Sequence, residues 1–308
     1  MSTPVRVVAF LAALAAVFGI TLAAGRVIGP VGSASASASD DRHGHAGEPQ
    51  PEPEPTRAGS LPRGLQVSQD GYALRLDPDA FAAAPRGELE LVIEGPDGKP
   101  VTEFTTQHEK ELHLIVVRRD FSGFRHVHPT RADDGTWSTP LDLAPGAWRV
   151  FADMAPAGAE PMTLGADLFV HGSYTPMTAP QKDVRTATVD GYTVTLEGDL
   201  VPGTDSDVTL SVSRDGAPVT DLQPYLGAYG HLVALRGGDL AYLHVHPEGE
   251  PGDGSTAPGP DITFGTSVPT SGTYRLFLDF RHGGVVRTAA FTVTAGTPLE
   301  PWKEDRFQ

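Results

Sequence analysis

The chain has 308 residues, 39% of them hydrophobic, with 35 glycines, 28 prolines and a formal net charge of -16. That length suits about two domains, and the wealth of turn formers favours many short strands over long helices. The acidic balance excludes nucleic acid as a partner, because phosphate binding needs a basic face. With no cysteine, disulfides and thiolate metal sites are excluded too, so any metal is held by nitrogen and oxygen, helped at most by a thioether.

Arg6 precedes an apolar run from Val7 to Ala24. As a helix this run reaches ~27 Å at 1.5 Å per residue and nearly crosses a bilayer core. It reads as an export signal. Arg26 follows at once, as in a signal anchor, whereas Ala34-Ser35-Ala36 offers an A-x-A cleavage pattern further on. The expectation is a retained single-pass anchor over residues 1–30, with the C-terminal domains extracytoplasmic at the cell membrane. Secretion after cleavage near Ala36 is the alternative. Residues 31–62 read as a disordered linker, since the Ser-Ala repeat, the His43-Gly-His45 pair and the Glu-Pro alternation from Glu48 to Pro55 cannot bury a core.

Beyond the linker the sequence repeats itself. Gly71-Tyr72-Ala-Leu-Arg-Leu76 matches Gly191-Tyr192-Thr-Val-Thr-Leu196, each alternating apolar and polar residues as a strand does. Leu89 to Glu94 matches Val208 to Ser213, and Asp97-Gly98 with Pro100 matches the Asp215-Gly216 turn with Pro218. Gly146 to Asp153 matches Gly272 to Asp279, and each copy closes with a strand, Ala166 to Val170 and Ala289 to Thr294. About seven short strands in each copy, without a helical period, read as an all-β fold of two tandem immunoglobulin-like β-sandwich domains. The domains are placed at 63–172 and 184–296, with a joint at 173–183 and a tail at 297–308.

Within each copy lies a histidine triplet. His113 precedes His126-Val-His128-Pro129 by thirteen residues, and His231 precedes His244-Val-His246-Pro247 by the same thirteen. His113, Ile115 and Val117 fall on one face of a strand, and Phe124, His126 and His128 on one face of the next. A turn centred between Asp120 and Phe121 places Ile115 opposite His126 and His113 opposite His128. A Gly237-Gly238 turn does the same for Val233 with His244 and His231 with His246. Directly opposed Cβ atoms are ~5 Å apart, so three imidazoles converge in each copy.

Leu114, Val116 and Val127 make the reverse side of the first hairpin apolar as well, which marks it as central and buried. Charging three buried imidazoles together is opposed by repulsion and desolvation, and a bound metal relieves that conflict. Neutral imidazole is the commonest metal ligand, and a donor set of nitrogen and oxygen without sulfur fits Zn(II) or Cu(II). Asp153 and Asp279, ending equivalent strands, are the repeated acidic candidates for a fourth ligand or an orienting partner. The competing reading keeps the histidines structural, each paired with a backbone carbonyl at a strand end, and takes Asp153 and Asp279 as surface carboxylates beside Arg149 and Arg275. His108, His171 and His282 occur in one copy only and read as incidental. Met154 and Met162 read as filling, and Trp148 and Tyr274 as core anchors.

The strings from His113 to Pro129 and from Gly146 to Asp153 resemble those of uncharacterised, membrane-anchored exported proteins of high-GC Gram-positive bacteria. More remotely, the module resembles the YtkA-like and FixH-type immunoglobulin-like domains of bacterial envelopes. The resemblance implies an envelope protein with a link to heavy-metal or copper handling. No Gly-x-Ser-x-Gly elbow or phosphate-binding glycine loop occurs, so the expectation is a binding protein and not an enzyme. In it, His113, His126, His128 and Asp153 hold one divalent transition metal, Cu or Zn, and His231, His244, His246 and Asp279 another, for sensing, buffering or delivery. The expected partners are the membrane, through the N-terminal helix, and an envelope protein or metal transporter. The alternative is a metal-free envelope interaction module.

Overall fold

Period-two burial writes most of the strands. Buried Leu89, Leu91 and Ile93 alternate with exposed Glu88 and Glu90 and half-buried Val92, and Val208, Leu210 and Val212 repeat the pattern in the second copy. The structure, a computed structural model, describes residues 62–296 apart from 78–80, 82–85, 179, 181 and 244. All of these fall in one compact unit, Ala58–Gln308. The expected anchor, the His43/His45 linker and the tail at 297–308 lie outside the described residues, as does His244. No helix occurs among the described residues.

The first sandwich comprises β1 (Ser68–Gln69), β2 (Tyr72–Leu76), β3 (Arg86–Glu94), β4 (Leu112–Arg118), β5 (Arg125–Val127), β6 (Thr130–Arg131), β7 (Thr136–Asp142), β8 (Gly146–Met154) and β9 (Met162–Val170). Its two antiparallel sheets run β1-β2-β3-β7-β6 and β5-β4-β8-β9. The second comprises β10 (Thr186–Val189), β11 (Tyr192–Glu197), β12 (Asp205–Arg214), β13 (Ala217–Pro218), β14 (Gly230–Arg236), β15 (Tyr242–Leu243), β16 (Val245–Pro247), β17 (Asp261–Ser267), β18 (Gly272–His282) and β19 (Val285–Ala295). Its sheets run β10-β11-β12-β17-β16, with β13 beside β12, and β15-β14-β18-β19. Two tandem immunoglobulin-like sandwiches are the architecture that the repeat predicts.

Each sandwich closes over its own core. Trp148 and Tyr274 anchor them, fully buried, and each polar tip donates to a carbonyl four residues upstream, Trp148 Nε1 to Ala144 at 2.9 Å and the Tyr274 hydroxyl to Thr270 at 2.7 Å. Met154 and Met162 pair across β8 and β9 inside the first core, as filling residues do.

A third apolar cluster belongs to neither core. On β4, Leu114 and Val116 point into the first sandwich, while Ile115 and Val117 point out of it. There they join Phe151 and meet Val233, Leu235, Leu240 and Phe277 of the second sandwich. Phe124 stacks flat on Phe277, with ring centroids 4.1 Å apart and planes 8° from parallel. Phe151 and Tyr242 make the reciprocal contact at 5.7 Å. The two-faced apolarity of the histidine strands therefore has two causes, one core on the inner face and the other sandwich on the outer. The joint is pinned to the first sandwich by buried Asp120, which accepts from the Tyr174 hydroxyl at 2.9 Å and the Met177 amide at 2.8 Å.

Candidate metal centre

The first hairpin closes at Phe121, whose φ of 65° and amide bond to the Arg118 carbonyl make the turn. Its ladder then pairs Ile115 with His126 and Leu114 with Val127, the register that the spacing predicts. One step further, His113 and His128 meet. The Nδ1 of His113 lies 3.1 Å from Nε2 of His126 and 3.2 Å from Nε2 of His128. One ring nitrogen from each of the three lies within 4.8 Å of the others. A tetrahedral ion with metal-nitrogen bonds of ~2.05 Å sets its ligand nitrogens ~3.3 Å apart, so the cluster is close to coordination size.

The far nitrogens fix what the near ones can offer a cation. His113 Nε2 lies 2.9 Å from the Gln107 carbonyl, and His126 Nδ1 lies 2.9 Å from Asp279 Oδ2. A carbonyl and a carboxylate only accept, so both of those nitrogens donate. In the neutral rings, His113 Nδ1 and His126 Nε2 are then bare lone pairs facing each other. His128 has one proton to offer and can satisfy one of them, not both. Adding a proton is costly: burial pushes the His113 imidazole down to about 4, helped by the neighbouring His126 and opposed by the Gln107 carbonyl. Burial, then His126 and His113, push His128 down to about 3. A divalent ion accepts all three lone pairs without a proton.

The second hairpin begins alike. Its register pairs Leu235 with Tyr242 and Ala234 with Leu243 around the expected Gly237-Gly238 turn. His231 Nε2 bonds the Tyr225 carbonyl at 2.7 Å, just as His113 bonds Gln107, and burial lowers His231 to about 4. The expected pairing of His231 with His246 does not form, however. Val245–Pro247 is instead a strand of the other sheet, with His246 opposite Gly265 and exposed to solvent.

Register identifies the cause. Trp137 faces Leu91 on β3 and Ile262 faces Leu210 on β12, which makes Pro140 of β7 the counterpart of Gly265 of β17. Continuing the pairing of Thr130 with Ser138 would set His128 against Pro140 at a hydrogen-bonded position, the same phase as the Ala132 to Thr136 bond. Proline has no N-H to give there. His128 thus stays with His113, while His246 is claimed by Gly265.

The carboxylates are also placed differently from the sequence expectation. Asp279, opposite His231 in the β14-β18 ladder, is 3% exposed and bonds His126 of the first sandwich. Asp153, opposite His113, accepts from Thr163 at 2.8 Å and from the Tyr242 hydroxyl of the second sandwich at 3.4 Å. Neither pairs with the arginine four residues back: Arg149 binds Asp167 and the Gly64 carbonyl, and Arg275 binds Thr292. His108, which occurs in one copy only, has its ring 6.1 Å from His113 and 5.5 Å from His231, at the exposed rim of the cluster. Tyr225, 6.3 Å from His128 and 5.8 Å from His231, borders the same space. Gln107 and Tyr225 act through main-chain carbonyls in two equivalent turns, so their side-chain identities carried no signal.

Among solved structures the chain is similar to FdeC, an Escherichia coli adhesin, at 16% identity over 78% of this chain and 66% of that one, with a TM-score of 0.22. It is also similar to the FN1-FN3 domains of chicken CNTN1, at 9% identity over 68% of this chain and 63% of that one, with a TM-score of 0.21. The chain spans less than two thirds of the length of each. No curated protein matches it. A family match covers residues 66–165 and 187–297, one stretch on each sandwich, and by it the chain belongs to the family described as Domain of unknown function (DUF8832).

Proposed function

We propose that the protein is an extracytoplasmic, membrane-tethered binding protein whose first sandwich holds one divalent transition metal through His113, His126 and His128, for sensing, buffering or delivery. The observation that carries this reading is the convergence of three ring nitrogens, two of them at 3.1 and 3.2 Å from the third, with the far nitrogens of His113 and His126 already committed to acceptors. Three imidazoles match the ligand count of an open zinc site, leaving a fourth position for water or an incoming group. The same donors bind Cu(II) more tightly than Zn(II) by the usual order of divalent affinities. The apolar run from Val7 to Ala24 supports export and tethering.

Thermal melting of chelator-stripped protein with Zn(II), Cu(II) or Mg(II) tests this. Zn(II) and Cu(II) at 100 times their dissociation constants are expected to add about 2.7 kcal/mol, Mg(II) is expected to add nothing, and His128→Ala is expected to remove the response. A melting temperature indifferent to Zn(II) and Cu(II), or a response that survives His128→Ala, would overturn the assignment.

A further inference from the structure

The first sandwich does not complete its own centre. His126 lies on the first hairpin, yet its Nδ1 is held by Asp279, 153 residues away on β18 of the second sandwich, and the side chains of both are about 5% exposed. Asp279 is fixed from its own side by the Thr288 hydroxyl on Oδ1, which leaves Oδ2 aimed across the interface. Among the described residues its side-chain partners are His126 and Thr288. The apolar contact beside it keeps the alignment. Phe277 precedes Asp279 by two residues and shares its face of β18, Phe124 precedes His126 by two just before β5, and the two rings stack at 4.1 Å.

We propose that Asp279 is the positioning carboxylate of the metal centre, so that ion occupancy and docking of the two sandwiches are one linked equilibrium. The proposal rests on the triad being an ion site. Asp279 touches no ion in this scheme. It holds the Nδ1-H tautomer of His126, turns the Nε2 lone pair toward His113 and His128, and makes that nitrogen a stronger donor, as carboxylates behind metal-bound histidines do. Separating the sandwiches removes Asp279 from His126 and Phe277 from Phe124 together, so the undocked form binds the ion more weakly. By reciprocity, the ion must then favour the docked form by the same factor. The centre becomes a latch: metal closes the face between the two sandwiches, and loss of metal loosens it.

The test is Zn(II) titration of the full chain and of Asp279→Asn, together with hydrogen exchange of both proteins with and without Zn(II). Asparagine keeps the shape and an acceptor oxygen while losing the charge, and the melting temperature of the metal-free variant checks its fold. We expect Asp279→Asn to bind one ion about 10-fold more weakly, in the range for lost partners of metal-bound histidines. We also expect Zn(II) to slow exchange on β14 of the second sandwich as well as on β4 in the unaltered chain, and less so in the variant. If the unaltered chain binds Zn(II) and Asp279→Asn binds it within twofold, or if protection stops at the first sandwich, the latch is wrong while the triad stands. If the unaltered chain binds no ion, the triad itself is wrong. Should Asp279→Asn fail to fold, Phe277→Leu, which loosens the same contact without touching a polar group, is expected to weaken Zn(II) several-fold. Unchanged affinity in that variant would equally reject the linkage.

Discussion

In the first sandwich the chain leaving the histidine hairpin pairs with β7 only from Thr130 on, whereas in the second it pairs with β17 from Val245 on, with His246 opposite Gly265. The hairpins share a register and a histidine-to-carbonyl bond at the same spacing, to Gln107 in one copy and Tyr225 in the other. They diverge where a neighbouring strand either offers an N-H or does not. A ladder pairing can thus draw His246 away from His231, with the histidine spacing unchanged in the sequence. The motif is present in both copies, and among the described residues His128 meets His113 while His246 lies opposite Gly265.

The contact between the two sandwiches carries the largest expected effect. Phe277→Ala removes the ring stacked on Phe124 and is expected to cost about 3 to 5 kcal/mol, measured by denaturant unfolding. A cost under about 1 kcal/mol would mean that the first hairpin does not lean on the second sandwich.

A pH series sharpens the difference in electrostatics. In the metal-free protein, burial holds His113 near 4, His128 near 3 and His231 near 4, whereas an unfolded histidine titrates near 6.5. Between those values the unfolded chain binds more protons, so stability is full above about pH 6.5 and falls as pH drops toward 4. The expected slope is up to about 1.4 kcal/mol per pH unit for each histidine. Two of the three belong to the first hairpin, so His128→Asn is expected to flatten the profile, and a melting temperature constant from pH 6.5 to 4.5 would contradict the burial argument.

The smallest expected effect tests the strand beyond the hairpin. Pro140→Gly restores an N-H opposite His128 and is expected to draw that segment toward β7, weakening Zn(II) about 10-fold, or about 1.4 kcal/mol. An unchanged affinity would mean that Pro140 has no part in the asymmetry.

The sandwiches and the first hairpin were legible because their signals are local. Alternation in Leu89 to Glu94, the Asp-Gly turns and the thirteen-residue histidine spacing each fix a strand, a turn or a register within a few residues. What escaped the sequence lies in pairings between distant strands. Nothing near His246 announces Gly265, and nothing near His126 announces Asp279. Ile115 and Val117 read as buried without revealing that a second sandwich, and not their own core, buries them. His108 read as incidental because it occurs once, yet a site at the face between two unequal copies has no reason to be duplicated.

Zinc stoichiometry on the full chain tests the central claim most directly, measured by elemental analysis and titration of the unaltered protein, His126→Ala and His246→Ala. One ion per chain is expected, lost in His126→Ala and retained at unchanged affinity in His246→Ala. Two ions per chain, or loss of the ion in His246→Ala, would contradict it.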